Sequence, residues 1–197
     1  SAKNKFLAGC QTAFGWFLNV YIEIFRGTPM IVQSMVIFYG SAQAFNISLD
    51  RTWAAIFIVS INTGAYMSEI VRGGILAVDP GQFEAATALG MTHGQTMRKV
   101  VLPQVVRNIL PATGNEFVIN IKDTSVLNVI SVVELYFTGN TIATQNYQYF
   151  PTFTIIAVIY FVLTFTITRI LRYIERRLDS DTYTTGANQM QTGEVKS

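Results

Sequence analysis

Hydrophobic residues in this chain form long runs that short polar connections separate. Residues 29–47, 53–76 and 151–171 are predominantly apolar. As α-helices they would extend roughly 28, 36 and 31 Å at about 1.5 Å per residue, which matches a bilayer core about 30 Å thick. The pattern therefore predicts three helices that each cross a membrane.

A fourth apolar segment, residues 107–133, differs from the others because polar and charged residues interrupt it. These interruptions are Asn115, Glu116, Asn120, Lys122 and Asp123. An ionisable side chain in hydrocarbon costs at least about 2.5 kcal/mol, so such groups face protein or water rather than lipid. We expect this segment to be a fourth span that turns its polar residues away from lipid.

Residues 6–25 leave two interpretations open. The segment is apolar enough to cross a membrane, yet it carries polar residues that include Glu23. We favour an amphipathic helix that lies on the cytoplasmic face, with Trp16 and Tyr21 as interfacial anchors. If the helix crossed instead, the amino terminus would lie outside.

Composition supports a membrane setting. Half of the residues are hydrophobic, and the mean hydropathy is +0.35. Only 13% of the residues are charged, which is too few for a typical soluble surface. A net charge of +2 without a basic stripe argues against nucleic acid binding. One cysteine and one histidine exclude an internal disulfide framework and a multi-histidine metal site, and no cofactor is expected.

Basic residues indicate the orientation of the spans. Of the 14 Lys and Arg residues, all but Arg51 and Lys122 lie near the amino terminus, in residues 72–107, or from Arg169 onward. Connections rich in Lys and Arg stay in the cytoplasm. Both termini and the connection around residues 72–107 are therefore predicted to be cytoplasmic, and the polar tail at 178–197 is predicted to be disordered.

The connection at residues 79–103, called the knob below, carries the signals of two short capped helices. Asp79 can cap the first helix and Gly90 can end it. Thr92 followed by Gln95 at the third position repeats the capping pattern for a second helix. Two capped helices in so short a connection predict a rigid protrusion.

Six residues of the knob stand at a distinctive spacing: Glu84, Ala85, Ala86, Gly90, Leu102 and Pro103. This pattern resembles the EAA loop of ATP-binding-cassette (ABC) importer permeases and departs only at Val100, where isoleucine is usual. The resemblance implies a coupling helix that docks on a separate ATPase subunit. Small residues at 85 and 86 would permit close approach, and Glu84 would meet a basic group.

Further segments resemble the polar amino acid subgroup of these permeases, which includes histidine, glutamine and arginine permeases. They are residues 21–29 with 32–33, residues 62–66 with 69–75, residues 114–117, and residues 122–125. The resemblance implies an all-α, polytopic, type I importer permease with about four spans. Residues 1–28 would form an interfacial segment and 29–177 the transmembrane domain. The family usually has a further span before Tyr21, so we expect a truncated or unusually short version.

Ionisable and amide residues in the spans are the candidates for a substrate path. They are Glu69, Asn115, Glu116, Asn120, Lys122 and Asp123. Glu116 and Asp123 are seven residues apart and share a face of a continuous helix. Acids and amides suit the ammonium of an amino acid, and Lys122 suits its carboxylate. Two alternatives stay open: a self-satisfied buried network, and a simple pairing of Glu69 with Arg72.

ATP hydrolysis is expected in a partner polypeptide, because the chain has no Gly-x-x-x-x-Gly-Lys-Ser/Thr phosphate loop. The resemblance implies a bacterial inner-membrane location. It also implies ATPase subunits, a second permease subunit that is identical or homologous, and an extracytoplasmic amino-acid-binding protein. Two other classes stay open at this point. An ion-coupled secondary transporter would explain the buried charges, and a non-transporting scaffold would explain the knob.

Overall fold

The computed structural model describes the backbone of residues 2–193 and the side chains of residues 11–177. The tail at 178–197, predicted to be disordered, lies outside the residues described in full, and that prediction stays a prediction. The described residues form helices joined by short connections. In chain order these are α1 (Ala2–Gly27), α2 (Met30–Phe45), α3 (Arg51–Leu76), α4 (Pro80–Ala88), α5 (His93–Thr96), a π-helical turn (Met97–Val101), α6 (Leu102–Asp123), a 3₁₀ segment (Thr124–Ile130), α7 (Leu135–Asn146) and α8 (Tyr149–Gly193).

The spans predicted from the sequence correspond to helices of unequal length. In the described part of the chain, α3 with 26 residues and the Tyr149–Arg177 part of α8 with 29 residues are long and apolar enough to cross a bilayer. Two further helical stretches, His93–Ile130 and Leu135–Asn146, are bent by 54° at the break between them and make a third span only if the pair is counted as one, against the four spans expected. The apolar helix α2 has 16 residues and reaches only roughly 24 Å. The all-helical membrane fold is confirmed.

The segment predicted to lie at the interface forms most of one continuous helix, α1. Several of its large apolar side chains are exposed, including Phe14 at 63%, Trp16 at 69% and Phe17 at 63%. Such a surface suits a lipid environment. Placement of α1 along the interface stays a prediction.

Two compact units divide the chain. Unit 1 comprises Ser1–Glu69 and Ile119–Val158, and unit 2 comprises Ile70–Val118 and Ile159–Ser197. The long helices α3, α6 and α8 each contribute to both units. Each unit has a small core of its own.

Unit 1 has its core where α2, the first turns of α3 and the 3₁₀ segment pack together. The buried side chains of this core are Ala54, Ala55, Ile58, Leu127 and Ile130. The Asp50 carboxylate accepts hydrogen bonds from the backbone N–H groups of Thr52 and Trp53 at 2.9 and 3.1 Å. These bonds satisfy donors that the first turn of α3 would otherwise leave unpaired.

Unit 2 has its core at the base of the knob. Val78, Val101 and Val105 are buried there against partly buried neighbours from the end of α3, α4 and the π-helical turn. Gly74 permits the close approach of α3 to α6, since a Cβ at this position would overlap the side chain of Ile109. The knob is thus built on a packed apolar base.

Candidate functional site

The knob begins with the cap predicted from the sequence. The Asp79 carboxylate accepts a hydrogen bond of 2.7 Å from the backbone N–H of Gly81, and Pro80 occupies the first helical position of α4. Proline is suited to this position because its missing N–H would have no partner there anyway. Farther along, the Gln104 side chain donates to the Gln82 side-chain oxygen at 3.3 Å, which links α4 to α6.

Gly90 ends α4 in the left-handed backbone region, with φ of +72°. Its N–H donates to the Thr87 carbonyl at 2.9 Å, and the N–H of Met91 donates to the Ala86 carbonyl at 3.0 Å. These bonds satisfy carbonyls at the end of the helix. Other residues are strained in this conformation, which explains why glycine stands here.

The second short helix, α5, starts with a complete capping box, which confirms the prediction. The Thr92 N–H donates to the Gln95 side-chain oxygen at 2.9 Å, and the Gln95 N–H donates to the Thr92 hydroxyl at 3.4 Å. Each residue therefore satisfies a free donor of the other. The direction of the chain after Gly90 is fixed by this pair of bonds.

A π-helical turn joins α5 to α6, a feature that the sequence analysis did not anticipate. In this turn the Leu102 N–H donates to the Met97 carbonyl, five residues back. Pro103 follows in the first turn of α6 and has no N–H to donate. Single π-turns often mark functional positions in helices. Leu102 and Pro103 both lie exposed on the surface of unit 2.

The six EAA-like residues divide into an outward-facing set and an inward-facing one. Glu84 and Ala85 are exposed, and Leu89 beside them is 81% exposed. Ala86 is only 3% exposed. Ala86 therefore packs within the knob, and the expected role of the two alanines in close approach of a partner stays a prediction. Leu89 is an outward-facing apolar residue that the sequence analysis missed.

Glu69, a candidate for the substrate path, is held in an ion pair in unit 1. Its carboxylate lies 3.1 Å from the Arg26 guanidinium. The same guanidinium lies over the ring of Tyr66, 5.8 Å from its centroid. Arg72, the partner suggested from sequence spacing, belongs to unit 2. The ion pair links α1 to α3, and a role of Glu69 in the substrate path stays a prediction.

Most of the candidate path residues lie on α6, which is continuous over the region of interest. Asn120 accepts a hydrogen bond of 3.0 Å from the Thr63 hydroxyl of α3 in unit 1. Lys122 and Asp123 are exposed in the same unit. In unit 2, Asn115 is exposed and Glu116 is 9% exposed. Glu116 and Asp123 thus occur in very different environments although their spacing is helical.

A polar network in unit 1 explains motifs that the sequence analysis assigned only by resemblance. Gln33 is 6% exposed and donates to the carbonyls of Phe25 and Thr28 at 2.9 and 2.8 Å. The Asn62 side chain donates to the Gln33 side-chain oxygen at 2.9 Å. The Tyr21 hydroxyl donates to the Ile61 carbonyl. These bonds fix the turn between α1 and α2 against α3, a structural role.

Apolar spans, a capped protrusion and polar side chains along α6 are together typical of a membrane transport permease. The chain belongs to the family described as the inner membrane component of binding-protein-dependent transport systems, whose model matches residues 6–180. It is therefore a permease subunit of the bacterial inner membrane. This membership gives no support to a secondary transporter or a scaffold.

Among individual proteins, the chain is similar to amino-acid permeases. It is 42% identical over 178 residues to the glutamine transport system permease protein GlnP of Escherichia coli K12, covering 87% of this chain and 81% of that protein. It is 38% identical over 168 residues to the arginine transport system permease protein ArtQ of Bacillus subtilis, with coverages of 85% and 77%. It is also 42% identical over 165 residues to the L-cystine transport system permease protein TcyB of Bacillus subtilis, with coverages of 83% and 70%.

Two solved structures resemble this chain. The crystal structure of an amino acid ABC transporter with histidines matches with a TM-score of 0.77 and 45% identity, over 81% of this chain and 74% of that one. A structure of the MetNI methionine ABC transporter in an inward-facing conformation matches with a TM-score of 0.69 and 20% identity, over 81% and 73%. The second match shows the fold alone.

Proposed function

We propose that this chain forms half of the translocation path of an ATP-driven importer of polar amino acids. The named relatives transport glutamine, arginine and L-cystine, and all of them match most of the chain. A second permease subunit, identical or homologous, supplies the other half. A receptor outside the membrane delivers the amino acid, and ATPase subunits on the cytoplasmic side supply the energy.

Coupling to the ATPase is assigned to the exposed side of the knob. Glu84, Ala85 and Leu89 form this side, and the buried Ala86 and Val101 hold it on the base of unit 2. Burial of one leucine side chain in a partner's cleft contributes roughly 1.5–3 kcal/mol. Glu84 adds a charge that a basic residue of the ATPase can meet. The exposed apolar residue on a rigid capped protrusion is the single observation that carries this assignment.

Orientation follows from the basic residues. Residues 72–107, which include the knob, and the residues from Arg169 onward hold nine of the 14 Lys and Arg residues, and the connection between α7 and α8 holds none. By the positive-inside rule, the knob and both termini are cytoplasmic. ATP-driven closure of the ATPase dimer would pull the knobs of the two permease subunits together and switch the path from inward to outward access.

The substrate path is assigned to the exposed polar residues of α6, Asn115, Lys122 and Asp123. These side chains are available to a passing amino acid, since an ammonium suits a carboxylate or an amide oxygen and a carboxylate suits an ammonium. Glu116 and Glu69 are assigned to structure, because the first is buried and the second is held by Arg26.

Reconstitution in proteoliposomes tests this function. The complex of this chain with its ATPase and receptor should take up labelled glutamine, arginine or cystine only when ATP is supplied on the ATPase side. The variant Leu89→Asp should abolish uptake while the permease still inserts. Its control must lie outside the spans, which excludes Leu76→Asp at the end of α3. Thr87→Asp, exposed on α4, is the matched control. Uptake driven by an ion gradient without ATP would overturn the proposal.

A further inference from the structure

Unit 2 contains a cavity of about 230 Å³ between α6 and α8. Its polar lining residues are Asn115 on α6 and Thr168, Arg172 and Glu175 on α8. Pockets for drug-sized ligands measure roughly 300–1,000 Å³. The cavity therefore suits a smaller molecule, of about the size of one amino acid.

Charges of both signs line this cavity. Arg172 and Glu175 are three residues apart on α8, so their side chains project from adjacent positions on the helix surface. Within the part of the chain whose side chains are described, neither of them forms an ion pair. A guanidinium binds a carboxylate, and a carboxylate binds an ammonium. The wall of the cavity thus offers the complement of a zwitterion.

Thr168 and Asn115 add neutral hydrogen-bonding groups. The Thr168 hydroxyl donates to the Thr164 carbonyl at 2.6 Å, so its oxygen still has capacity to accept a hydrogen bond. The Asn115 amide can both donate and accept. An ammonium has three N–H donors, and a single carboxylate cannot accept hydrogen bonds from all three in one geometry. The neutral groups can accept the remaining donors.

A second cavity of about 280 Å³ adjoins the first, since Gly114, Leu171 and Glu175 line both. Its walls are mainly apolar, but Thr113 also lines it. The Thr113 hydroxyl is buried and has no hydrogen-bond partner among the described residues. Buried polar atoms are nearly always paired, so an unpaired one at a cavity wall indicates a group that a ligand can satisfy.

We infer that these adjoining cavities form a binding site for an α-amino acid with a polar side chain. Arg172 receives the carboxylate and Glu175 the ammonium. The side chain passes Gly114 and reaches the Thr113 hydroxyl. This inference rests on the proposed function and adds a site near the cytoplasmic end of α8, whose residues, Asn115 apart, were not among the candidates for the path.

Equilibrium binding to the purified permease–ATPase complex tests the site without the selectivity of the receptor. The probe is radiolabelled L-glutamine, L-arginine or L-cystine, whichever the wild-type complex imports. Arg172→Gln should weaken binding about 10-fold or more, the effect of losing a hydrogen bond to a charged group. Arg172→Lys should retain most of the affinity. Arg176→Gln changes an exposed arginine that does not line the cavity and should bind as the wild type does.

Competition with analogues then assigns each contact. An analogue with its carboxylate converted to an amide should compete weakly against the wild type but lose no further affinity in Arg172→Gln. An analogue with a hydroxyl in place of the ammonium should compete weakly against the wild type and lose no further affinity in Glu175→Gln. Thr113→Val, which removes only the hydroxyl, should reduce the preference for a polar over an apolar side chain of equal length.

Two failures are distinguishable. A wild-type complex that imports none of the three amino acids with ATP overturns the proposed function and this site with it. A complex that imports one of them, but binds it with the same affinity in Arg172→Gln and Glu175→Gln as in the wild type, overturns the site alone. If Arg172→Gln does not assemble, Glu175→Gln and Thr113→Val still decide the matter: unchanged affinity in the first and an unchanged preference for a polar side chain in the second would overturn the site.

Discussion

Valine at position 90 tests whether the backbone turn after α4 positions the knob. Gly90 has φ of +72° and open space where a Cβ would stand, so the substitution acts through backbone strain rather than through a clash. A non-glycine residue in this region costs roughly 1–3 kcal/mol, and a β-branched residue lies at the upper end. Since 1.4 kcal/mol is a factor of ten, the native turn should become about 5- to 150-fold less favourable.

The matched control is Gly94→Val in the same knob. Gly94 also has open space around a Cβ, but it lies inside α5 without a positive φ. Its replacement changes helix propensity by only a few tenths of a kcal/mol. ATP hydrolysis stimulated by receptor and amino acid in proteoliposomes is the assay, with membrane insertion measured in parallel. Gly90→Val should insert normally and lose most of the stimulation, whereas Gly94→Val should keep it. Equal behaviour of the two variants would refute the reasoning.

Three other predictions concern particular contacts. Leu89→Ala should weaken association of purified permease with its ATPase by about 10- to 100-fold, because burial of the leucine side chain in the interface contributes roughly 1.5–3 kcal/mol. Titration measures this affinity, and an unchanged value would exclude Leu89 from the interface. Asn62→Leu should lower the unfolding temperature because Gln33 loses a buried partner at a cost of about 1–3 kcal/mol, and an unchanged unfolding temperature would contradict this role. Glu69→Gln should destabilise α1 packing, detected as faster proteolysis before Arg26. The ion-pair assignment is wrong if the double variant with Arg26→Gln loses the full sum of the two single losses.

Sequence reasoning predicted the features that depend on near neighbours. The Asp79 cap, the capping box of Thr92 with Gln95 and the turn at Gly90 all occur where the sequence placed them. Each of these features needs only residues within a few positions of one another, because capping geometry is local. The length and polarity of α3 and α8 likewise follow from composition, since the bilayer imposes both.

Contacts between helices could not be predicted in the same way. Glu69 forms an ion pair with Arg26 of another helix, a contact that its spacing in the sequence did not suggest. Ala86 faces inward and Leu89 faces outward, although both belong to the same short run of small and apolar residues in and just after α4. Arg172 was interpreted through membrane topology alone, and Glu175 was not considered. The rotation of one helix against another decides these contacts, and the apolar pattern of a membrane helix constrains rotation weakly because lipid and protein interior are both apolar.

Cross-linking from the knob tests the central claim most directly. Cys10 is the single cysteine of the chain, so a Cys10→Ser background with Ala85→Cys places one thiol on the exposed side of α4. In inner-membrane vesicles containing the assembled transporter, a short thiol cross-linker should join this position to the ATPase subunit, and the cross-link should block ATP-driven amino acid uptake. A thiol that reacts from the outside of the cell, or that never joins the ATPase, would contradict the account.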